Sequence, residues 1–276
     1  MSERLTLPPN PPTVRIITDP ELERLRRKNQ SLWCSRSQTC LTCGGKGWFK
    51  TLVEGEVVEY NCNCLEQMIL SLWFTNAGIG VDYQKKSWSD LKAVDVEAAQ
   101  AALEYLENCH ANVSNGRGLI LYGSNGVGKT LLATLILKGL MVNGFDGYFF
   151  PFTRMLDAFA EGWSDAEDRD WFYKKAASCQ VLIIDDIGIE SENRSKSSVI
   201  DGLDIVIQNR INSGLPTLMT TNLRPEQLEQ KYKKHIISRL TGSSDFICMT
   251  GKDFRATMSE EMKNKNPEIV EPLRWA

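Results

Sequence analysis

From Gly118 onward, short apolar runs alternate with longer stretches of helical spacing: GLILYG, TLLATLILKGLM, GYFFPF, a helical pair through Lys175, QVLIIDD, SVIDGLDIVIQNRI, PTLMTTN, PEQLEQKYKKHIISRL and FICMTG. Strands that are apolar at consecutive positions are buried on both faces, and strands separated by helices pair in parallel through crossovers. The pattern predicts an α/β fold, a parallel sheet with flanking helices. Upstream the pattern changes. WFKTLV and EVVEYN are β-prone runs that predict a hairpin around Gly55, and LEQMILSLWFTNAGI predicts a helix ending at Gly78. DYQKKSWSDL reads as a joining segment, and VEAAQAALEYLENC as a helix with Val96, Ala99, Leu103 and Leu106 on one face. Residues 1–20 are proline-rich and predict an extended arm, followed by a short charged amphipathic helix from Glu21 to Trp33. No internal repeat is present. The expected organisation is a partner-binding region over 1–80, a linker and lead-in helix over 81–117, a core domain over 118–256 and a tail over 257–276.

Composition narrows the classes. Of 276 residues, 42% are hydrophobic and 24% charged, which suits a globular chain and excludes fibrous or disordered ones. The formal net charge of −3 carries no basic excess, so any nucleic-acid contact has to be local. No run approaches the roughly 20 apolar residues that span a bilayer, and the amino terminus lacks the apolar core of an export signal. The expectation is a cytoplasmic protein with no membrane association.

The first candidate chemistry is Gly123-Ser124-Asn125-Gly126-Val127-Gly128-Lys129-Thr130, a P-loop pattern with an apolar strand before it and a helix-prone run after it. Small residues let successive N–H groups curl around phosphates, and the following helix points the positive end of its dipole at them. Lys129 is expected to bridge the β- and γ-phosphates of ATP, with the Thr130 hydroxyl on Mg²⁺.

The second is Val181-Leu-Ile-Ile-Asp185-Asp186, a buried strand delivering two carboxylates to its carboxyl end, where open α/β sheets bind ligands. Asp185 is expected to hold Mg²⁺, leaving Asp186 to polarise the attacking water.

The third is a cysteine cluster. Five of the eight cysteines lie between Cys34 and Cys64. Cys40-Leu-Thr-Cys43 forms a knuckle followed by glycines, and Cys62-Asn-Cys64 returns a second pair after eighteen intervening residues, a span suited to a closed four-thiolate Zn²⁺ site within about 34–64. The C-x-C half is unusual, and Cys34 is an alternative ligand. Four thiolates leave no open position for water, so such a metal is structural rather than catalytic.

At Leu218-Met-Thr-Thr-Asn222 the order of P-loop, acidic strand and Thr-Asn strand resembles an AAA+ ATPase. More narrowly, it resembles the DnaC/DnaI-type replicative helicase loaders and the related IstB transposition helpers. Asp185-Asp186-Ile-Gly188, the run from Asn209 to Asn222, Ser238-Arg239-Leu240 and Gly251-Lys-Asp-Phe-Arg255 carry the likeness, over roughly residues 82–256. The resemblance implies a P-loop NTPase core with a reduced or absent C-terminal lid. It makes Asn222 a sensor that positions the hydrolytic water, Arg239 an arginine finger offered to a neighbouring subunit, and Arg255 a second sensor acting in cis. It also implies an ATPase stimulated by self-assembly into an ATP-bridged oligomer and by DNA. The partners implied are a replicative hexameric helicase and single-stranded DNA, with the metal module docking the helicase. An IstB-like helper binding duplex DNA is the alternative. The basic and aromatic residues Arg26, Arg27, Lys28, Trp33, Lys46, Trp48 and Lys50 leave open whether the amino-terminal region touches DNA or only the helicase.

Overall fold

The computed structural model describes residues 48–53, 56–61, 63–91, 95–155, 173–189, 196–232, 234–254 and 273. The chain divides into two compact units, Met1–Asn76 and Ala77–Ala276.

In the first unit, β1 (Trp48–Val53) and β2 (Glu56–Asn61) form the predicted antiparallel hairpin, registered from Trp48 opposite Asn61 to Val53 opposite Glu56. Lys50 faces Glu59 directly across the strands, with the ammonium 3.7 Å from the carboxylate. Its ammonium also lies 5.6 Å from the centre of the Trp48 ring. Both interactions are exposed and contribute a fraction of a kcal/mol, on the order of 0.2–1 kcal/mol each. Helix α1 (Asn63–Asn76) follows. The expected ligands Cys40, Cys43 and Cys62, the alternative Cys34 and the side chain of Cys64 lie outside the described residues, as do Arg26, Arg27, Lys28, Trp33 and Lys46.

The second unit opens with helix α2 (Val81–Gln84) and a 3₁₀ turn at Trp88–Asp90, closed by a capping box in which Ser87 N–H donates to Asp90 Oδ2 at 2.9 Å. Helix α3 (Val96–Glu107) is N-capped by the Asp95 carboxylate, which accepts from Glu97 and Ala98 N–H. It ends at Glu107, two residues short of the expected Cys109, and a further short helix, α4 (Cys109–Ser114), follows Asn108. The expected apolar face also needs correction. The buried side chains are Ala98, Ala102, Tyr105 and Cys109, whereas Val96 is 81% exposed. Only Val96 departs from the expected face; Leu106 packs on the next long helix as expected, against Gly139, where a Cβ would sit 2.8 Å from a leucine methyl.

The core is a five-stranded, all-parallel sheet in the order β4-β5-β6-β3-β7, comprising β3 (Gly118–Gly123), β4 (Gly147–Pro151), β5 (Val181–Ile187), β6 (Thr217–Thr221) and β7 (Ser244–Met249). Both faces are covered, which is why these strands read as unbroken apolar runs. On one face Ile120, Phe150, Leu182, Ile184 and Met219 join a cluster with Leu203, Val206 and Ile207 of α6 (Lys196–Asn212), Leu228 of α7 (Pro225–Lys231) and Ile236, Ile237 and Leu240 of α8 (Lys234–Ser243). On the other lies α5 (Lys129–Val142), in which Leu132, Ala133, Leu135, Ile136, Leu137 and Leu140 are fully buried. A helix apolar nearly all round is a core helix. No helix among the described residues is long and apolar enough to cross a membrane.

Candidate nucleotide site

β3 is the middle partner of β6 and β7, and its carboxyl end runs directly into the loop Gly123–Gly128 and then α5. Gly128 is the helix N-cap at φ 95°, ψ 16°, and Gly126 sits at φ 79°, conformations that cost a side-chain-bearing residue on the order of 1 kcal/mol or more. Ser124 and Asn125 are exposed at the tip, while Val127 is fully buried and anchors the loop from beneath. The loop is thus built to present backbone N–H groups at a helix N-terminus, a geometry suited to phosphate.

Lys129 is 6% exposed, and its ammonium donates to Gly123 O at 3.0 Å, Ser124 O at 2.7 Å and Asn222 Oδ1 at 2.7 Å. The Asn222 amide turns its other end toward Asp186, Nδ2 donating to Oδ1 at a long 3.4 Å. Lys129, Asn222 and Asp186 therefore form one line of polar groups across the ends of β3, β6 and β5. Beneath it, Asp185 accepts from Thr130 Oγ1 at 3.3 Å and from Thr220 Oγ1 at 2.6 Å. Burial pushes the Asp185 carboxyl above the usual carboxylate range, partly offset by the two hydroxyls.

Two adjacent residues of a regular strand point to opposite faces, yet Asp185 and Asp186 both reach the P-loop side. The reason is a bulge. Ile184 pairs with Met219 and Ile187 with Thr221, so two residues of β5 oppose the single Thr220 of β6. Asp186 takes φ 65°, a left-handed conformation that aspartate tolerates better than most side chains. Thr220, fully buried, ties the bulge together: its oxygen accepts from Asp186 N–H at 2.8 Å while its hydroxyl donates to Asp185. Sequence reading missed Thr220 as a site residue; its position two residues before Asn222, on the strand beside the acidic one, was the available signal.

The donor set fits a hard divalent cation: a buried carboxylate and a hydroxyl 3.3 Å apart, both oxygen. Thr130 and Asp185 would hold Mg²⁺, which supplies charge neutralisation to the phosphates when bound. The structure thus brings together Gly123 to Thr130, Asp185, Asp186 and Asn222. It does not bring Arg239 to them. Among the described residues Arg239 bonds to α6, its Nη1 lying 3.4 Å from Asp204 Oδ1 and 3.3 Å from Gln208 Oε1; Asp204 also holds His235 Nε2 at 2.8 Å. Arg255 lies outside the described residues. A second residue missed from sequence is Asp253, whose carboxylate lies against Gly126.

The sequence profile of the IstB-like ATP binding proteins matches residues 82–261, well over half of the chain. The chain belongs to this family. Among relatives of this IstB-like protein, the replicative helicase loader DnaI of Bacillus subtilis is 24% identical over 225 residues, covering 76% of the chain and 70% of the relative. A putative ATP-binding protein in an insertion sequence of Mycobacterium tuberculosis is 29% identical over 147 residues, covering 51% of the chain and 56% of that protein. The crystal structure of DnaI superposes with a TM-score of 0.52 at 24% identity, over 62% of the chain and 94% of that structure, a likeness of fold. The IstB-like chain is an AAA+ P-loop ATPase in fold and family, and the phosphate loop, acidic strand and Thr-Asn strand expected from its sequence converge on one site.

Proposed function

We propose that this ATPase is a helicase loader: it binds a replicative hexameric helicase through its amino-terminal region and delivers it to single-stranded DNA. The observation that carries this reading is the extent of the match to the B. subtilis loader. At 76% of the chain it is longer than residues 82–276 can supply, so it runs into the amino-terminal unit, whereas the 51% matched by the insertion-sequence relative fits within the ATPase unit. In this reading Lys129, Thr130 and Asp185 hold Mg²⁺-ATP, Asp186 and Asn222 orient the attacking water, and Arg239 acts in trans across an ATP-bridged oligomer, released from Asp204 on assembly. Arg255 contacts the nucleotide in cis. Cys40, Cys43, Cys62 and Cys64 hold Zn²⁺ and shape the docking region. ATP turnover then rises with self-assembly and with single-stranded DNA.

The test is capture of purified replicative hexameric helicases by the full chain, with and without ATP. Capture followed by transfer to single-stranded DNA supports the loader. If no helicase is retained while the chain binds duplex DNA in an ATP-dependent manner, the transposition-helper reading replaces it.

A further inference from the structure

The residues after β7 return to the phosphate loop. Thr250 is fixed at the root, its N–H and Oγ1 both donating to Asp95 Oδ2 at 3.1 and 2.6 Å. From there Gly251, Lys252 and Asp253 cross to Gly126, where Phe254 N–H donates to Gly126 O at 3.1 Å. The Asp253 carboxylate lies directly on the Cα of that glycine, and a Cβ added at Gly126 would collide with it. A backbone hydrogen bond and a carboxylate from one segment thus seat on a single residue of the loop.

A carboxylate is an odd neighbour for this loop. Every other feature of the loop favours negative charge arriving from outside: the N–H groups, the helix dipole and the Lys129 ammonium. A fixed carboxylate against Gly126 sets a negative charge at the edge of that cradle and repels phosphates as they arrive.

We infer that Asp253 is a residue of the nucleotide site: an internal anion seated on the phosphate loop that restrains ATP binding and is displaced when the nucleotide phosphates arrive. Asp253 sits far from the loop in sequence, and its segment is anchored by Asp95 at the start of α3, so the restraint is set by the packing of the lead-in helix against the end of β7. An internal competitor lowers apparent affinity by the fraction of time the loop is free; a segment seated about nine-tenths of the time weakens binding roughly tenfold. The inference concerns the nucleotide alone and stands or falls independently of any helicase.

The experiment compares full-length wild type, Asp253→Asn and Asp253→Glu in binding a fluorescent ATP analogue with Mg²⁺, by equilibrium titration and stopped-flow association. Thermal melts confirm that each variant is folded. Asp253→Asn is expected to bind about tenfold more tightly, with the gain in the association rate, because a closed segment gates arrival. Asp253→Glu, which keeps the charge, is expected to stay near wild type. Unchanged or weaker binding by folded Asp253→Asn overturns the inference, since a residue that merely shapes the loop would lose affinity when altered. Equal tightening by the glutamate variant overturns it too, as charge would then be irrelevant.

Discussion

The two ends of the β5–β6 pair bury charge in opposite ways. At the amino-terminal end, Arg210 of α6 is 1% exposed, and its five N–H groups meet five oxygens: Thr217 Oγ1 at 3.0 Å, Ala176 O at 2.6 Å, Cys179 O at 2.9 Å, Gln180 O at 3.0 Å and Pro216 O at 2.7 Å. A guanidinium has five donors, so nothing is left to offer a ligand. At the carboxyl end, Asp185 is buried with hydrogen bonds from two neutral hydroxyls, and its charge is met by dipoles rather than by a bonded cation. The first arrangement is complete as it stands; the second is completed by a metal ion and phosphates. Burial alone does not distinguish a clamp from a site. The valence left over does.

The strongest way to break this contrast is at the clamp. Arg210→Met strands four carbonyls that fasten the entries to β5 and β6, and the expected loss is about 3–5 kcal/mol of stability by chemical denaturation. A loss under about 1 kcal/mol would mean that water replaces the guanidinium and that the end is not clamped. The complementary change, Lys129→Ala, removes a buried ammonium bonded to Gly123 O, Ser124 O and Asn222 Oδ1 and is expected to cost about 1–3 kcal/mol, less than Arg210→Met, while lowering ATP turnover about 10²–10³-fold, as for loss of a charge-stabilising donor. Equal damage to stability would make Lys129 a second clamp.

A smaller effect sharpens the picture within the site. Thr220→Val keeps shape but removes both bonds that hold the bulge, and turnover is expected to fall about tenfold with a higher Mg²⁺ concentration at half-maximum. Thr220→Ser, which restores the hydroxyl and loses the methyl, is expected to recover most of it. Failure of serine to rescue would assign Thr220 to packing instead.

How much of this was legible in the sequence follows the range of the interactions. The P-loop, the acidic strand and the hairpin are local patterns, and each is where its residues indicate. Thr220 was not legible because its role depends on a two-against-one register between β5 and β6, which no single run encodes. The face of α3 was legible at Leu106, which packs on Gly139 of α5, but not at Val96, an apolar side chain left exposed in the first turn while Ala98, Ala102 and Tyr105 are buried. Likewise PEQLEQKYKKHIISRL reads as one helical run but divides into α7 and α8. Asp253 on Gly126 is a contact between distant segments and has no local signature at all.

Lys138 lies on the same helix as Lys129, and it tests whether the rule of leftover valence extends beyond the strand ends. Fully buried, it donates to Gln84 O at 3.0 Å and Lys86 O at 2.7 Å, pinning the lead-in segment to α5. Burial lowers its pKa from the ordinary 10.5 to about 7, with Asp90 pulling it back up. The unfolded chain therefore holds a proton that the folded chain has released between about pH 7 and 10.5, and over that window stability rises with pH. Lys138→Met removes the titration, so the stability of wild type relative to this variant is expected to grow between pH 7 and pH 9, with a slope of at most about 1.4 kcal/mol per pH unit. Urea denaturation of both proteins at the two pH values measures it. A gap that stays flat would mean that Lys138 remains charged in the folded chain, its ammonium satisfied by carbonyls as fully as the Arg210 guanidinium is, and the lead-in segment would then be held by a second saturated clamp.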